Sequence, residues 1–403
     1  MDAPGPANAQ WRATPPSPSK SDAFKVLIVG AGLGGLTLAG FLDACEVEYS
    51  IIDKSSKWAN EGYCLGFWNN GRHMLRKLGL ADRLDLTEVP FQSLQICDGK
   101  GNKLRSYDLR HFYSEFGMGY SHIRRAELHR WLLARTCRPV RMDTSLKSIH
   151  EEEEGVSVCF SDGTEERFDL IVGADGVHSF VREHCFREQV ECYINWRAFY
   201  LWVDRSCARS RVVSQYVAPH EFISIFDEGD KALVVLVAKV NHSMWDDPHQ
   251  RMARLKLLFR DEPAMIPQVL DKALSEAVFP TDLIEISLKR WHTGRVVLIG
   301  DAAHGFEPFA GLGGSMALED AYVLAAQLGK MSNSSREELS AALERYETLR
   351  KKRVRQARKI THRMQCWAAI ESPLWRNIVN RLMPMVPESW ITRGYFAFMR
   401  HEI

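Results

Sequence analysis

Three short stretches hold residues whose types and spacing suit them to phosphates and hydroxyls. The first is GAGLGG (30–35), directly after the apolar run KVLIV. Gly30, Gly32 and Gly35 fit G-x-G-x-x-G, with Gly34 beside the last of them. In such a turn the first glycine permits the tight bend and the second lets the backbone approach a pyrophosphate. The third lets helix and strand pack closely. The phosphates then meet the positive end of a helix. Asp53 lies 23 residues after Gly30, where a carboxylate can accept hydrogen bonds from ribose hydroxyls. The order strand, turn, helix, strand, acid predicts a dinucleotide site, and the pattern alone does not separate NAD from FAD. The second stretch, FDLIVGADGVHSFVRE (168–183), runs from an apolar strand into Asp175-Gly176. The third, GRVVLIGDAAHGFEPFAGLGGSMALEDAYVLAAQL (294–328), ends a strand at Gly300-Asp301. It turns at Pro308 and then opens a helix with a glycine-rich run.

The elements that must hold these residues follow from the apolar pattern. KVLIV is the short continuous run of a buried parallel strand, LTLAGFLDAC reads as a helix, and VEYSIID as a second strand. The texture changes between about 186 and 290. NWRAFYLWV, RVVSQYV, EFISIF and ALVVLVAKV read as strands, several with alternation. They predict an antiparallel sheet forming one wall of a substrate pocket. Trp196, Phe199, Trp202, Tyr216, Phe222 and Phe226 divide between core packing and the lining of an apolar site. Arg197 stands at the start of this sheet. It is either a group that orients an ionisable substrate or half of a surface salt bridge, and spacing does not decide between them. The glutamates of HEEEEGVSVCF (150–160) read as a solvated hairpin edge, not a metal site.

The chain of 403 residues is long enough for one large or two intimately packed domains, and its net charge of +1 gives no reason to expect a nucleic-acid partner. Nine cysteines without a CxxC pair argue against a disulfide framework or a zinc site and for a reducing, cytoplasmic setting. No uncharged apolar run reaches transmembrane length, so no stable membrane insertion is expected. Residues 1–23 are rich in Pro, Ala and Ser, lack the apolar core of a signal peptide, and predict a disordered arm.

With these motifs in order, the sequence resembles the class A flavin-dependent aromatic hydroxylases, relatives of salicylate, para-hydroxybenzoate and tetracycline monooxygenases. The dinucleotide turn, the DG pair at Asp175-Gly176 and the GD pair at Gly300-Asp301 match in sequence. GYCLGFWNNGRHMLRKLGL (62–80) resembles the family's glycine-rich segment, and HIRRAELHRWLL (122–133) the helix with an FAD-contacting arginine, which maps to Arg125. ALERYETLRKKRVRQARK (342–359) resembles its long helix after the GD motif. The resemblance covers roughly residues 24 to 365.

It implies an α/β protein: a Rossmann-like, glutathione-reductase-like FAD-binding domain, an interleaved substrate domain on an antiparallel sheet, and C-terminal helices. FAD-domain segments would span 24–185 and 291–365, with 186–290 mainly substrate domain and 366–403 a helical tail. FAD, held non-covalently, would contact Gly30, Gly32, Gly34, Gly35, Asp53, Lys54, Gly62, Cys64, Arg125, Asp175 and Asp301. Gly311, Leu312, Gly313 and Gly314 would complete its site. Asp301 would meet the ribityl chain, and the helix near Gly311 would aim its amides at the flavin's pyrimidine edge. Pro308 and Phe309 would border the space above the ring. His304 would be structural, and Arg197 would assist substrate orientation or deprotonation. NADPH or NADH would bind transiently and reduce the flavin. O2 would then add at its C4a carbon to give a hydroperoxide that hydroxylates or epoxidises an apolar, aromatic or polycyclic small molecule. The enzyme would be a monomer or dimer. The other readings are a flavin oxidase or reductase and a non-catalytic flavoprotein. The match has departures. Leu312 and Ser315 replace the Gln and Asn common in relatives, Cys64 replaces a glycine, and EFISIFDEGDKALVVLV offers no catalytic tyrosine.

Overall fold

The computed structural model describes residues 24–58, 62–87, 90–186, 191–218, 221–240, 247–260, 265–274 and 278–400. The arm expected over 1–23 lies outside the described residues.

The run KVLIV forms the strand Lys25–Val29 at the heart of a six-stranded sheet. It pairs in parallel with Glu48–Ile52 on one side and Leu170–Gly173 on the other. Val296–Leu298 adds in parallel beyond Leu170–Gly173, and Val140–Arg141 beyond Glu48–Ile52. Its residues Val26, Leu27 and Ile28 are fully buried, so the run has no polar face to show. The helices Leu33–Ala44 and Gly313–Leu328 pack against each other; the first starts just after the strand Lys25–Val29, the second after the turns that follow Val296–Leu298. All three sequence motifs therefore meet at the carboxyl edge of one sheet, where α/β proteins bind ligands. A meander of Leu146–Glu151, Val156–Phe160 and Glu165–Phe168 adds Val156, Val158 and Phe160 to this core. The glutamates Glu152, Glu153 and Glu154 sit exposed at its hairpin turn.

The second sheet has seven strands, in the order Phe279–Ile286, Glu191–Val203, Ala232–Lys239, Glu221–Asp227, Val212–Ala218, Ser93–Asp98, Lys103–Asp108. Every joint is antiparallel except Val212–Ala218 with Ser93–Asp98, which is parallel. This joint departs from the antiparallel sheet expected. Its two strands come from distant parts of the chain, so no hairpin dictates their relative direction. Two core clusters lie on this sheet, and the one holding Ile96, Val217, Phe222 and Val237 also contains Phe309, which follows the strand Val296–Leu298 of the first sheet.

The long helix Arg336–Ala368 and the helices Pro373–Leu382 and Glu388–Arg400 complete the chain. Phe398 and Met399 are buried in the main core, and Phe396 stacks on Phe112 at 4.3 Å. No helix among the described residues is long and apolar enough to cross a membrane.

Candidate active site

The dinucleotide turn is tight. Gly30 has φ +104°, a conformation that costs a side-chain-bearing residue, and its N–H donates to the Ile52 carbonyl at 2.9 Å. A Cβ on Gly35 would lie 1.9 Å from the Gly30 carbonyl oxygen, so helix and strand touch at that point. Gly34 faces Ile299 at ordinary contact distance. A Cβ on Gly32 would meet nothing within 4 Å, so here the turn opens outward. Asp53 is half-buried at the next strand end and accepts from Ala31 N–H and Ser55 N–H, each at 2.9 Å. One carboxylate thus fixes the turn and retains lone pairs toward it. Lys54 is exposed.

The GD motif sits at the next-but-one strand end. Gly300 (φ +59°) turns the chain, and its N–H donates to Asp320 Oδ2 at 2.8 Å. Asp301 is surrounded by protein yet accessible, because its side chain opens into a cavity. Its carboxylate receives no hydrogen bond among the described residues. Burial pushes its pKa up, Asp320 adds to the rise, and His304 opposes it. The chain then passes through the Pro308–Ala310 turn, held by Trp68 Nε1 donating to the Ala310 carbonyl at 3.0 Å. Gly311 and the buried Leu312 lead into the helix Gly313–Leu328. Neither this helix nor Leu33–Ala44 has a side-chain cap or an acid in its first turn. Gly313, like Gly32, has open space where a Cβ would stand. Two helix N-termini therefore present free N–H groups in the same region as a carboxylate without a partner.

A buried ionic network supports this loop from beneath. Asp320 joins His304 Nε2 at 2.5 Å and Arg350 Nε at 2.6 Å. Glu319 takes Arg350 at 2.5 Å, Arg353 at 2.7 and 2.9 Å, and Asn70 Nδ2 at 2.8 Å. Burial works against ionised Asp320, but His304 and Arg350 hold it below its ordinary range. The position of His304 in this network is structural, as the sequence reading expected. The network's other members went unseen there. Their signal was Tyr346, Arg350, Arg353 and Ala357 at helical spacing on one face, all now buried.

The cavity measures about 630 Å³ and lies between Asp301 with the Pro308–Gly314 segment on one side and the seven-stranded sheet on the other. Helical Met364 and Trp367, and Met383 and Tyr395 of the tail, close it. Tyr63 stacks on Tyr200 at 4.0 Å and 16°. Burial raises the Tyr63 phenol; nearby Arg125 opposes this and Asp301 adds to it. Arg125 itself is exposed at the first turn of Arg125–Leu133, its N–H bonded to the Tyr63 carbonyl at 3.0 Å. Of the aromatic residues expected on this wall, Phe222 and Phe226 line the cavity. Trp196 packs edge-on against Phe309, Phe199 and Tyr216 lie on the other core cluster, and Trp202 donates to the Gly62 carbonyl at 3.0 Å.

Two expected residues are occupied elsewhere. Arg197 pairs with Asp282 at 2.6 Å across adjacent strands, and Asp282, not Arg197, lines the cavity. Asp175 accepts from Ser179 Oγ and from Val181 N–H at 3.1 Å, so both its oxygens organise the start of the helix Phe180–Cys185. A cluster unseen in the sequence also borders the cavity. Cys64, His122 and Glu228 bring their ligand atoms within 4.8 Å of one another. His122 Nδ1 lies 2.6 Å from Glu228 and its Nε2 3.2 Å from the Tyr120 hydroxyl, while the Cys64 thiol donates to Glu228 at 3.5 Å. Burial, reinforced by Glu228, keeps that thiol protonated. The set is a hydrogen-bonded strut between the antiparallel pair Cys64–Phe67 and Ser121–Arg124 and the sheet.

The FAD binding domain family model matches residues 23–361. The chain belongs to this FAD-binding family. The 3-amino-4-hydroxybenzoate 2-monooxygenase PtmB3 of Streptomyces platensis is 29% identical over 350 residues, covering 83% of this chain and 86% of that protein. The aurachin C monooxygenase/isomerase of Stigmatella aurantiaca is 29% identical over 340 residues, covering 81% and 85%. The solved structure of HpxO from Klebsiella pneumoniae, complexed with FAD and uric acid, superposes with a TM-score of 0.82 at 21% identity, covering 93% and 96%. The flavoprotein's cofactor is FAD, and its enzyme class is the FAD-dependent monooxygenases.

Proposed function

We propose that the protein uses NAD(P)H and O2 to insert one oxygen atom into an apolar, aromatic or polycyclic molecule held in the cavity between the two sheets. The observation that carries this reading is the meeting of the unpartnered Asp301 and the uncapped start of Gly313–Leu328 on one largely apolar chamber, with the uncapped start of Leu33–Ala44 packed beside Gly314. Gly30, Gly32, Gly34 and Gly35 would take the pyrophosphate of FAD, with Asp53 at the adenosine ribose and Lys54 at the solvent edge. Asp301 would accept from the ribityl hydroxyls, and Gly311 through Gly314 would direct N–H groups at the ring's pyrimidine edge. Gly62, Cys64 and Arg125 would border its other side, and Asp175 would act by ordering the neighbouring loop. When bound, FAD supplies the electron transfer and the oxygen activation.

The chain's own residues do the rest. Pro308 and Phe309 fix the distance between cofactor and substrate wall. The sheet face excludes water, which a reactive oxygen donor requires. Met383 and Tyr395 of the tail close the chamber. The eight cysteines whose side chains are described are free thiols, which supports a reducing, cytoplasmic setting.

The test is stoichiometry. Purified yellow protein given NADPH and a panel of neutral aromatic compounds should consume NADPH and O2 one to one with a true substrate, with little peroxide. Tyr395→Ala should raise peroxide per NADPH while FAD content stays the same. Absence of any compound that stimulates NADPH oxidation would favour a non-catalytic flavoprotein.

A further inference from the structure

The face of the seven-stranded sheet that lines the cavity is apolar except at its edge strand, which brings Thr281 and Asp282, and at one place in its middle. Register aligns Ile96, Gln215, Ser224, Val235 and Tyr200 in a single row across five strands, and all five line the cavity. The rows on either side expose Leu94, Val213, Phe226 and Leu233, and Phe222 and Val237. Gln215 and Ser224 are thus a polar island inside a hydrocarbon wall. They are 7% and 4% exposed, and Gln215 Nε2 donates to Ser224 Oγ at 3.4 Å. Gln215 Oε1 is buried with no hydrogen-bond partner among the described residues. Turning the amide over leaves its nitrogen in that state instead, so one end of this cavity-lining side chain stays buried and unpaired either way. Leaving such a group unsatisfied costs the folded protein, and a ligand that pairs with it recovers that cost.

We propose, resting on the monooxygenase reading, that Gln215 anchors the substrate and that the substrate is a neutral ring system bearing an N–H lactam. A primary amide presents its oxygen and one N–H on the same edge. A lactam presents an N–H and a carbonyl with the complementary spacing. With its other N–H committed to Ser224, Gln215 matches a lactam at two points: Oε1 accepts the ring N–H and Nε2 donates to the ring carbonyl. Charge points the same way. The charged side chains lining the cavity among the described residues are His122, Asp282, Asp301 and Arg363. His122 is held by Glu228, Asp282 by Arg197, and Arg363 is exposed on the long helix. A carboxylate placed against the sheet would find no buried cation there and would face two aspartates. The Gln215 amide, by contrast, discriminates sharply against analogues lacking the matching edge.

The test is binding to the FAD-loaded enzyme, followed by equilibrium dialysis and by perturbation of flavin absorbance, with 2-quinolone, naphthalene and 1-naphthoate as probes. The lactam should bind tightest and the carboxylate weakest. Gln215→Leu should weaken 2-quinolone about tenfold or more and leave naphthalene unchanged or tighter, because an unpaired amide has been removed. Ser224→Ala, which only frees the amide to rotate, should weaken 2-quinolone by about threefold. If Gln215→Leu fails to retain FAD, Gln215→Met keeps the volume and carries the comparison. Equal losses for 2-quinolone and naphthalene, tightest binding of 1-naphthoate, or no binding of any probe would overturn the proposal. Gln215-dependent lactam binding without stimulated NADPH oxidation by any lactam would leave this anchor standing and count against the monooxygenase reading alone.

Discussion

The two sheets that meet at the cavity carry their chemistry in different places. In the six-stranded sheet it sits at strand ends, on glycines, the carboxylates of Asp53 and Asp301, and exposed backbone N–H groups. In the seven-stranded sheet it sits on a face, as rows of side chains aligned by register. The first arrangement suits a ligand with fixed phosphates and hydroxyls, because backbone groups cannot drift and are repeated from one protein to another. The second suits a ligand that differs between relatives, because any side chain in a row can change without disturbing the ladder that holds it. On the proposed function, the fold would keep cofactor recognition in its backbone and substrate recognition in replaceable side chains.

That contrast can be broken most severely inside the dinucleotide turn. Gly35→Ala drives a methyl onto the Gly30 carbonyl, and a loss of roughly 3 kcal/mol or more is expected, read as failure to recover soluble holoprotein. Gly32→Ala adds the same methyl where no protein atom lies within 4 Å. That variant should fold normally and hold FAD about tenfold or more weakly, measured by fluorescence on FAD titration. Equal behaviour of the two would erase the distinction between packing glycine and ligand glycine.

The ionic network beneath the GD loop comes next. Arg350→Met strands Glu319 and Asp320 without their main counterion, at a cost of about 3–5 kcal/mol in chemical denaturation. The pH dependence has a definite sign. The Asp320 pKa is lowered by folding, so its contribution is full above the ordinary value of 3.8 and disappears as pH falls through the lower folded value. Wild type should lose stability over that acid window, and the variant should lose less.

Asp301 should behave oppositely. Its pKa is raised by folding, so its ionised form costs stability at neutral pH, and the cost fades as pH falls through the raised value. Asp301→Asn should therefore leave the apoprotein as stable as wild type or slightly more so, while FAD affinity drops about tenfold. Parallel losses of stability and affinity would mean that Asp301 serves the fold.

The smallest effect belongs to Arg197. It is bound to Asp282 behind the cavity surface, so Arg197→Lys should change stability by about 1 kcal/mol or less. Coupled turnover should stay within about twofold; a large loss of turnover at unchanged FAD content would return it to the substrate.

The same contrast explains what the sequence disclosed. Gly30 and Gly35 were legible because a tight turn of one geometry demands glycine at fixed spacing, and Asp301 because its GD pair matches a family motif in order. Arg350 and Arg353 were hidden in a stretch rich in Lys and Arg that reads as a solvated face, although their helical spacing from Tyr346 marks the buried stripe. Gln215 and Ser224 were not legible as a pair. Alternation in RVVSQYV puts Val213, Gln215 and Val217 on one face, but only register brings Ser224 alongside and only the packing of the sheet decides which face meets the cavity. Cys64, His122 and Glu228 come from three distant segments, and no local pattern links them. The tail shows the same limit. The sequence marks residues 366–403 only as a helical tail, and the burial of Phe398 and Met399 shows that it is part of the core. Truncation after about residue 370 would therefore unfold as well as uncouple.

The central claim is that one chamber between the two sheets joins a bound FAD to an apolar substrate for oxygen insertion. Turnover of a coupled substrate under isotopically labelled O2, with mass analysis of the product, tests it most directly. The account predicts one labelled oxygen atom per product molecule and little peroxide. Product that carries no label, formed by intact FAD-loaded protein, would contradict it.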